Sequence, residues 1–145
     1  DFRVASDTAR FTAAYVKAGL VPDAGLTHFL SALLPRAMVS RMVLLGEPVP
    51  ADRLHALGAL SELAPEGGAF DAAMALADRL AQGPSATQGD IKALIAGAAT
   101  GDLMAQLDAE RDAMARAQGS PEAAEGINAF LEKRAPDFAK LRSVS

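Results

Sequence analysis

The stretch AYVKAGLVPDAGLTHFL, residues 14–30, joins a short apolar run to a Pro-Asp-Ala-Gly turn and then to the start of an amphipathic helix. Asp23 lies in that turn, and its sequence neighbours include Leu20, Val21 and Leu26. These side chains predict an apolar environment for the Asp23 carboxylate. Because a carboxylate that is partly removed from water suits proton transfer better than a fully hydrated one, Asp23 is the first candidate functional residue.

Composition limits the classes of protein to which the chain can belong. Of the 145 residues, 50% are hydrophobic and 22% are charged, which is typical of a globular domain. A net charge of -4 offers no basic surface for phosphate contacts, so we expect no nucleic-acid partner. The apolar runs are too short to span a bilayer, so we expect no membrane partner. The chain has no Cys, which fits a reducing compartment, and we expect a cytoplasmic location.

Strand signals are confined to the first part of the chain. Short aromatic or β-branched runs predict strands over residues 2–5 and 15–20, and a weaker run predicts a third over 59–64. Helical spacing, caps and breakers predict helices over 26–33, 35–46, 51–57, 70–80, 85–99, 102–118 and 121–134. After about Pro65 the sequence carries helix signals and no strand signals. This change predicts two regions, residues 1–65 and 66–145.

So few strands raise a physical difficulty for the first region. Two or three short parallel strands cannot form a buried sheet unless further strands lie beside them. The chain also opens at Asp1, without Met and directly in a strand pattern. We therefore expect an upstream part of the same protein to supply the missing strands.

Four segments resemble one known family in order and spacing. They are DFRVASDTARF (1–11), VKAGLVPDAGLTHFL (16–30), MVLLGEPVPADRLHALGAL (42–60) and SPEAAEGINAFLEKRAPDF (120–138). Together they resemble the latter half of the crotonase superfamily, the enoyl-CoA hydratases and isomerases. The resemblance implies an α/β fold: residues 1–65 end a crotonase-like spiral of ββα units, and residues 66–145 form a helical oligomerisation region. It also implies a homotrimer or hexamer.

The resemblance further implies an acyl-CoA thioester substrate and no separate cofactor, since coenzyme A is part of the substrate. Two backbone N–H groups upstream of Asp1 would stabilise the enolate. Hydratases of the family carry a glutamate at the position of Tyr15, and a tyrosine with an ordinary pKa of about 10 is a poor base at neutral pH. Members that shift a double bond carry a carboxylate at the position of Asp23. The resemblance therefore favours an enoyl-CoA isomerase with Asp23 as its acid and base.

Further site residues follow from the same resemblance. Tyr15, Val21 and Leu26 would line the substrate pocket, although the family usually has glycine where Leu26 stands. Phe130 and Lys133 match residues that contact coenzyme A. From the residues alone, Phe130 fits the core stripe of a helix, and Lys133 fits an exposed cation at a helix end.

Several alternatives stay open. An Asp just ahead of a helix is commonly a cap, so Asp23 could serve only the turn. The protein could then be a hydratase or acyl-CoA hydrolase that uses an upstream carboxylate, or a crotonase-like assembly subunit without catalytic activity. His28 and His55 lie far apart in sequence and lack a supporting carboxylate pattern, so we assign no metal site.

Overall fold

The computed structural model describes residues 1–142. Two compact units make up the chain, Asp1–Leu76 and Ala77–Ser145. The first unit contains the strands and the second is helical. The last strand ends at Ala64, and one helix, Ala69–Ala81, crosses the division between the units.

Short strands tie distant parts of the first unit together. Strand β1, Val4–Ser6, pairs in parallel with β4, Glu62–Ala64. Strand β2, Arg10–Phe11, pairs antiparallel with β3, Val49–Pro50. The predicted strands over 2–5 and 59–64 are therefore present in shortened form. The β2–β3 pair is absent from the sequence prediction, since two residues give no period that a pattern could show.

The predicted strand over residues 15–20 is wrong. Ala14–Ala18 forms a 3₁₀ helix instead, and it ends at Gly19, whose φ of 69° lies in the left-handed region. Only Tyr15 and Val16 in this helix favour a strand, while Ala and Lys do not. No strand of the described residues pairs with this segment, so local turn geometry decides its conformation.

Three helices complete the first unit around its core. Helix α1 spans Leu26–Leu33, α2 spans Arg36–Leu45 and α3 spans Ala51–Ala56. These bounds confirm the predicted helices to within one or two residues. The buried core cluster consists of Ala5, Leu34, Val39, Met42, Val49, Ala51, Leu54, Ala59 and Leu60.

The remaining helices follow the predicted order. They are α4, Ala69–Ala81; α5, Ser85–Ala98; α6, Leu103–Gln118; α7, Pro121–Leu131; and α8, Ala139–Arg142. Ser120 caps α7 with Pro121 at its start, as predicted. Helix α7 ends three residues earlier than predicted, because Lys133 adopts a left-handed φ of 56°. Helix α8 was missed, since four residues are too short to show a helical period.

A carboxylate holds the start of one helix of the second unit. Glu122 of α7 accepts hydrogen bonds from the backbone N–H groups of Ala86 and Thr87, at 3.0 and 2.9 Å, and so caps α5. Burial raises the pKa of Glu122, but the hydrogen bonds from Thr87 and Ala86 outweigh burial and hold the pKa below its ordinary value. The start of α5 is thus fixed to α7 by an ionised side chain.

Candidate functional site

Asp23 lies in the turn between the 3₁₀ helix and α1, where the structure leaves it exposed. The backbone N–H of Leu26 donates to the Asp23 carbonyl at 3.0 Å and closes this turn. The two residues after Asp23, Ala24 and Gly25, both have left-handed backbones, with φ of 49° and 77°. A non-glycine residue in that region costs about 1–2 kcal/mol. Such strain collects at functional sites, which marks this turn as a candidate.

The alternative that Asp23 caps α1 is wrong. The cap position of α1 is Gly25, and no side chain makes a capping hydrogen bond there. The carboxylate of Asp23 instead accepts a hydrogen bond from the hydroxyl of Tyr15, with 2.9 Å between Oη and Oδ1. The structure therefore brings two of the predicted site residues together, eight positions apart in sequence.

Glycine is required at position 25 for two reasons. Its φ lies in the left-handed region, and a Cβ placed there would come within 3.0 Å of the Phe29 ring. The hydrogen bond from the Leu26 N–H to the Asp23 carbonyl and the left-handed Ala24 and Gly25 set the path of the chain into α1. Asp23 stands directly before these two residues.

The apolar environment predicted for Asp23 is not supplied by residues 1–142. Val21 is 82% exposed, and Leu26 and Tyr15 are partly buried. None of these side chains covers the carboxylate, which stays accessible. The expectation of a desolvated carboxylate, drawn from sequence neighbours alone, is therefore wrong for the described part of the chain.

The Tyr15 side of the hydrogen bond is anchored to the end of α2. Gly46, which ends α2, packs closely against the side chains of Val16 and Lys17. The hydrogen bond to Asp23, followed by the charge of that carboxylate, raises the pKa of Tyr15 above its ordinary value. Tyr15 is consequently protonated at neutral pH and acts as a donor.

Phe130 and Lys133 lie on and just beyond α7, in the second unit. Phe130 is 82% exposed, so the interpretation of Phe130 as a core residue is wrong for the described chain. The left-handed φ of Lys133 is shared, among non-glycine residues of the described chain, only with Ala24. The two backbone strains thus fall beside Asp23 and at Lys133, the residues that the resemblance singles out.

A polar clamp that the sequence analysis missed holds the segment around Lys133. The guanidinium of Arg134 donates to both carboxylate oxygens of Glu125, at 2.6 and 3.0 Å. The backbone N–H of Asp137 donates to the same carboxylate at 2.7 Å. Arg134, and then the Asp137 N–H, lower the pKa of Glu125 to about 2. The only sequence signal was a Glu and an Arg nine residues apart, which no local rule connects.

Two surface cavities of the described chain lie elsewhere. One, of about 420 Å³, is lined by Ser40, Arg41, Leu44, Leu45 and Glu47. None of the predicted site residues lines it, so it adds nothing to the chemistry at Asp23. Within residues 1–142 no cluster of three His, Asp or Glu side chains could hold a metal ion. Over the same residues, every helix is too short or too polar to cross a bilayer.

Similarity to known proteins identifies the family of this chain. The family model described as enoyl-CoA hydratase/isomerase matches residues 1–141. The chain belongs to this family. It is 38% identical over 138 residues to the 1,2-epoxyphenylacetyl-CoA isomerase of Escherichia coli (strain K12), and 34% identical over 139 residues to the 2,3-dehydroadipyl-CoA hydratase of the same organism. Both matches cover 95% of this chain, and 53% and 54% of the relatives.

Solved structures of the family have the same fold. An enoyl-CoA hydratase from Polaromonas sp. JS666 matches with a TM-score of 0.90 at 39% identity, over 94% of this chain and 53% of that one. An enoyl-CoA hydratase from Mycobacterium smegmatis matches with a TM-score of 0.87 at 29% identity, over 96% and 54%. The crotonase fold expected from the sequence is confirmed. The chain spans about half the length of the relatives it matches.

Proposed function

We propose that the protein containing this chain is an enoyl-CoA isomerase in which Asp23 moves a proton within the substrate. The observation that carries the proposal is the state of the Asp23 carboxylate. It is exposed, caps no helix, stands in a strained turn and is held by the Tyr15 hydroxyl. A side chain with these properties contributes little to folding and is free to act on a ligand.

The proposed reaction needs one base. The carboxylate of Asp23 takes a proton from carbon 2 of a 3-enoyl-CoA, and the electrons of the broken C–H bond pass into an enolate on the thioester. Two backbone N–H groups, which we place in the half of the family's length that this chain does not span, stabilise the enolate oxygen. Asp23 then returns the proton to carbon 4, so the double bond moves and the carboxylate is regenerated.

Hydration is the main competing activity, since relatives of this chain are named as hydratases as well as an isomerase. Tyr15 argues against it. A water-adding member of the family uses a glutamate at that position, whereas the raised pKa of Tyr15 keeps its hydroxyl protonated. An acyl-CoA hydrolase or a non-catalytic assembly subunit would leave the strained turn and the Tyr15–Asp23 contact without a role. Double-bond migration by Asp23 gives both of these features a role.

The second unit would serve binding and assembly. We propose that Lys133 and Phe130 contact coenzyme A, since the Lys133 backbone is strained and clamped while both side chains are exposed. We also propose a homotrimer or hexamer assembled through the helical part, where Ile95, Leu103 and Met104 are each more than 60% exposed. The cytoplasmic location stays a prediction from composition.

Replacing Asp23 by Asn tests the proposal in the full-length protein. The variant keeps the shape and the hydrogen-bond acceptor but loses the base, so we expect turnover of a 3-enoyl-CoA to fall by about 10²- to 10⁴-fold. Affinity for the acyl-CoA should stay within a few-fold. Chromatography of the acyl-CoA products measures turnover and also detects hydration or hydrolysis.

Asp52→Asn is the matched control. Asp52 is an exposed carboxylate of the same unit whose side chain accepts only from the neighbouring N–H of Arg53, at 2.7 Å. Its replacement should leave turnover unchanged. Parental isomerase activity in Asp23→Asn would overturn the proposal. A parent that binds acyl-CoA and turns over none would favour the assembly subunit, and a 3-hydroxyacyl product insensitive to Asp23→Asn would favour a hydratase.

A further inference from the structure

The contact between Tyr15 and Asp23 is constrained at both ends. Tyr15 belongs to the 3₁₀ helix whose Val16 and Lys17 lie against Gly46 at the end of α2, and Asp23 belongs to the turn closed by the hydrogen bond from the Leu26 N–H to the Asp23 carbonyl. The 2.9 Å hydrogen bond between Oη and Oδ1 joins these two segments. It therefore restrains the Asp23 carboxylate from a second segment of backbone.

The two oxygens of Asp23 have different surroundings. Oδ1 accepts the Tyr15 hydroxyl, whereas within residues 1–142 no donor reaches Oδ2. An oxygen without a donor keeps its lone pairs available for an incoming proton. The structure thus distinguishes a held oxygen from a reactive one.

We propose that Tyr15 is a positioning residue for the proton transfer: its hydroxyl holds Oδ1 of Asp23 so that Oδ2 takes the proton from carbon 2 and returns it to carbon 4. This inference rests on the proposed function. The Tyr15 hydroxyl keeps its own proton throughout, and the C–H electrons pass to the enolate as described above. Tyrosine here orients the base and does not itself exchange protons with the substrate.

Other charged groups near this contact do not compete for it. On the 3₁₀ helix, Lys17 packs along Gly46, and on α1, His28 stacks edge-on with Phe29. At the end of α2, Arg41 pairs with Glu47 at 2.6 Å. Within the described chain none of these groups hydrogen-bonds to Tyr15 or Asp23, so their contact can be tested as an isolated pair.

Tyr15→Phe removes one oxygen from the full-length protein and tests the inference directly. We expect kcat for a 3-enoyl-CoA to fall by about ten- to a hundredfold, which is the range for loss of a hydrogen bond to a charged group, with KM changed by less than about twofold. In the Asp23→Asn background the same change should have no further effect, because the hydroxyl acts only through the carboxylate. A parental kcat in Tyr15→Phe would overturn the inference.

Thr12→Val is the matched control for a structural role. It also removes one hydroxyl hydrogen bond from the same segment, to the Gly46 carbonyl. We expect Thr12→Val to lower Tm with kcat unchanged, and Tyr15→Phe to lower kcat with Tm nearly unchanged. If both variants lose Tm and kcat in parallel, Tyr15 is a structural residue and the inference is wrong.

A spectroscopic titration keeps the inference testable even if Tyr15→Phe does not fold. Tyr15 is the one Tyr of residues 1–145, so in full-length protein whose remaining Tyr residues are replaced by Phe, tyrosinate absorbance compared between the parent and Asp23→Asn reports on Tyr15. We expect the Tyr15 pKa to lie above 10 in the parent and to fall towards the ordinary value in Asp23→Asn. Equal midpoints would overturn the contact. Full activity in Asp23→Asn would instead overturn the proposed function, whatever the titration gives.

Discussion

The two units are stabilised in different ways. The first buries a continuous cluster of apolar side chains, among them Val39, Met42 and Leu54. The described part of the second buries only Ala113 and Ala129, although it carries many large apolar side chains. The first unit therefore obtains its stability from burial that it supplies itself, whereas the second exposes the side chains from which a core would be built.

Polar contacts hold the second unit where apolar burial is missing. Glu122 caps α5, Glu125 clamps the segment after α7, and Asp102 and Ser120 cap α6 and α7. Each contact satisfies backbone groups or a guanidinium rather than excluding water from hydrocarbon. Helices and turns of this chain can therefore be ordered without a buried apolar core in the same unit.

The largest expected effect is the loss of a core side chain from the first unit. Leu54 is 5% exposed, so Leu54→Ala should lower the free energy of unfolding by about 2–5 kcal/mol. Denaturant unfolding of the full-length protein measures this value. A loss of unfolding free energy of this size would show that the stability of the first unit depends on its own core.

Leu103→Ala is the matched substitution in the second unit. Leu103 lies in α6 and is 71% exposed, so at low protein concentration the same deletion should cost less than about 1 kcal/mol. A cost that grows with protein concentration would locate the partner of this side chain in another copy of the protein. If Leu103→Ala lowered the free energy of unfolding as much as Leu54→Ala at every concentration, the two units would not differ in this way.

A smaller, pH-dependent effect is expected from Glu125→Gln. The pKa of Glu125 is about 2 in the folded chain, below its ordinary value of 4.5, so its charge stabilises the fold above pH 4.5. This contribution is lost as the pH falls from about 4.5 to about 2. We expect Glu125→Gln to lower Tm by a few degrees at pH 6 and the difference to vanish near pH 2.

Thermal unfolding across pH provides the measurement, with Glu132→Gln as control. Glu132 also contacts Arg134, at 2.5 Å, but it is 61% exposed, against 19% for Glu125. An exposed ion pair contributes little, so the control should change Tm less at every pH. Equal effects of the two variants would show that the clamp is an ordinary surface ion pair.

A further small effect is expected from a helix cap in the second unit. Ser120 accepts a hydrogen bond from the N–H of Ala123 at 3.0 Å, and Ser120→Ala should cost about 1 kcal/mol of unfolding free energy. Ser85→Ala is the control, since α5 begins at Ser85 and its N–H groups at Ala86 and Thr87 are held by Glu122 rather than by the Ser85 side chain. Chemical denaturation of both variants measures how much the Ser120 cap contributes to the free energy of unfolding.

Much of the helical architecture could be predicted from local signals. Apolar spacing and breakers such as Gly46 and Pro84 place the helices within a few residues, because these signals act over one or two turns. Tyr15 and Val16 favour a strand, and this local signal led to the wrong prediction for their segment. The segment forms a 3₁₀ helix that ends at the left-handed Gly19. The β2–β3 pair joins residues 10 and 50, and its formation depends on contacts that no window of sequence contains.

The same distinction between local and long-range signals applies to the candidate site. Asp23 could be singled out because its turn and the family resemblance are both local in sequence. Its hydrogen bond to Tyr15 could not be predicted, since side chains eight residues apart come together here only because the chain turns at the left-handed Gly19 between them. The Glu125–Arg134 clamp was missed for a similar reason, as the backbone reversal at Lys133 brings its two ends together.

The parallel pairing of β1 with β4 also constrains biosynthesis. Val4 pairs with Glu62, 58 residues later, so the ribosome has to add and release that whole interval before β1 can hydrogen-bond to β4. Closing so long a loop is slow compared with forming the helices inside it. The helices between β1 and β4 can therefore form before these two strands pair.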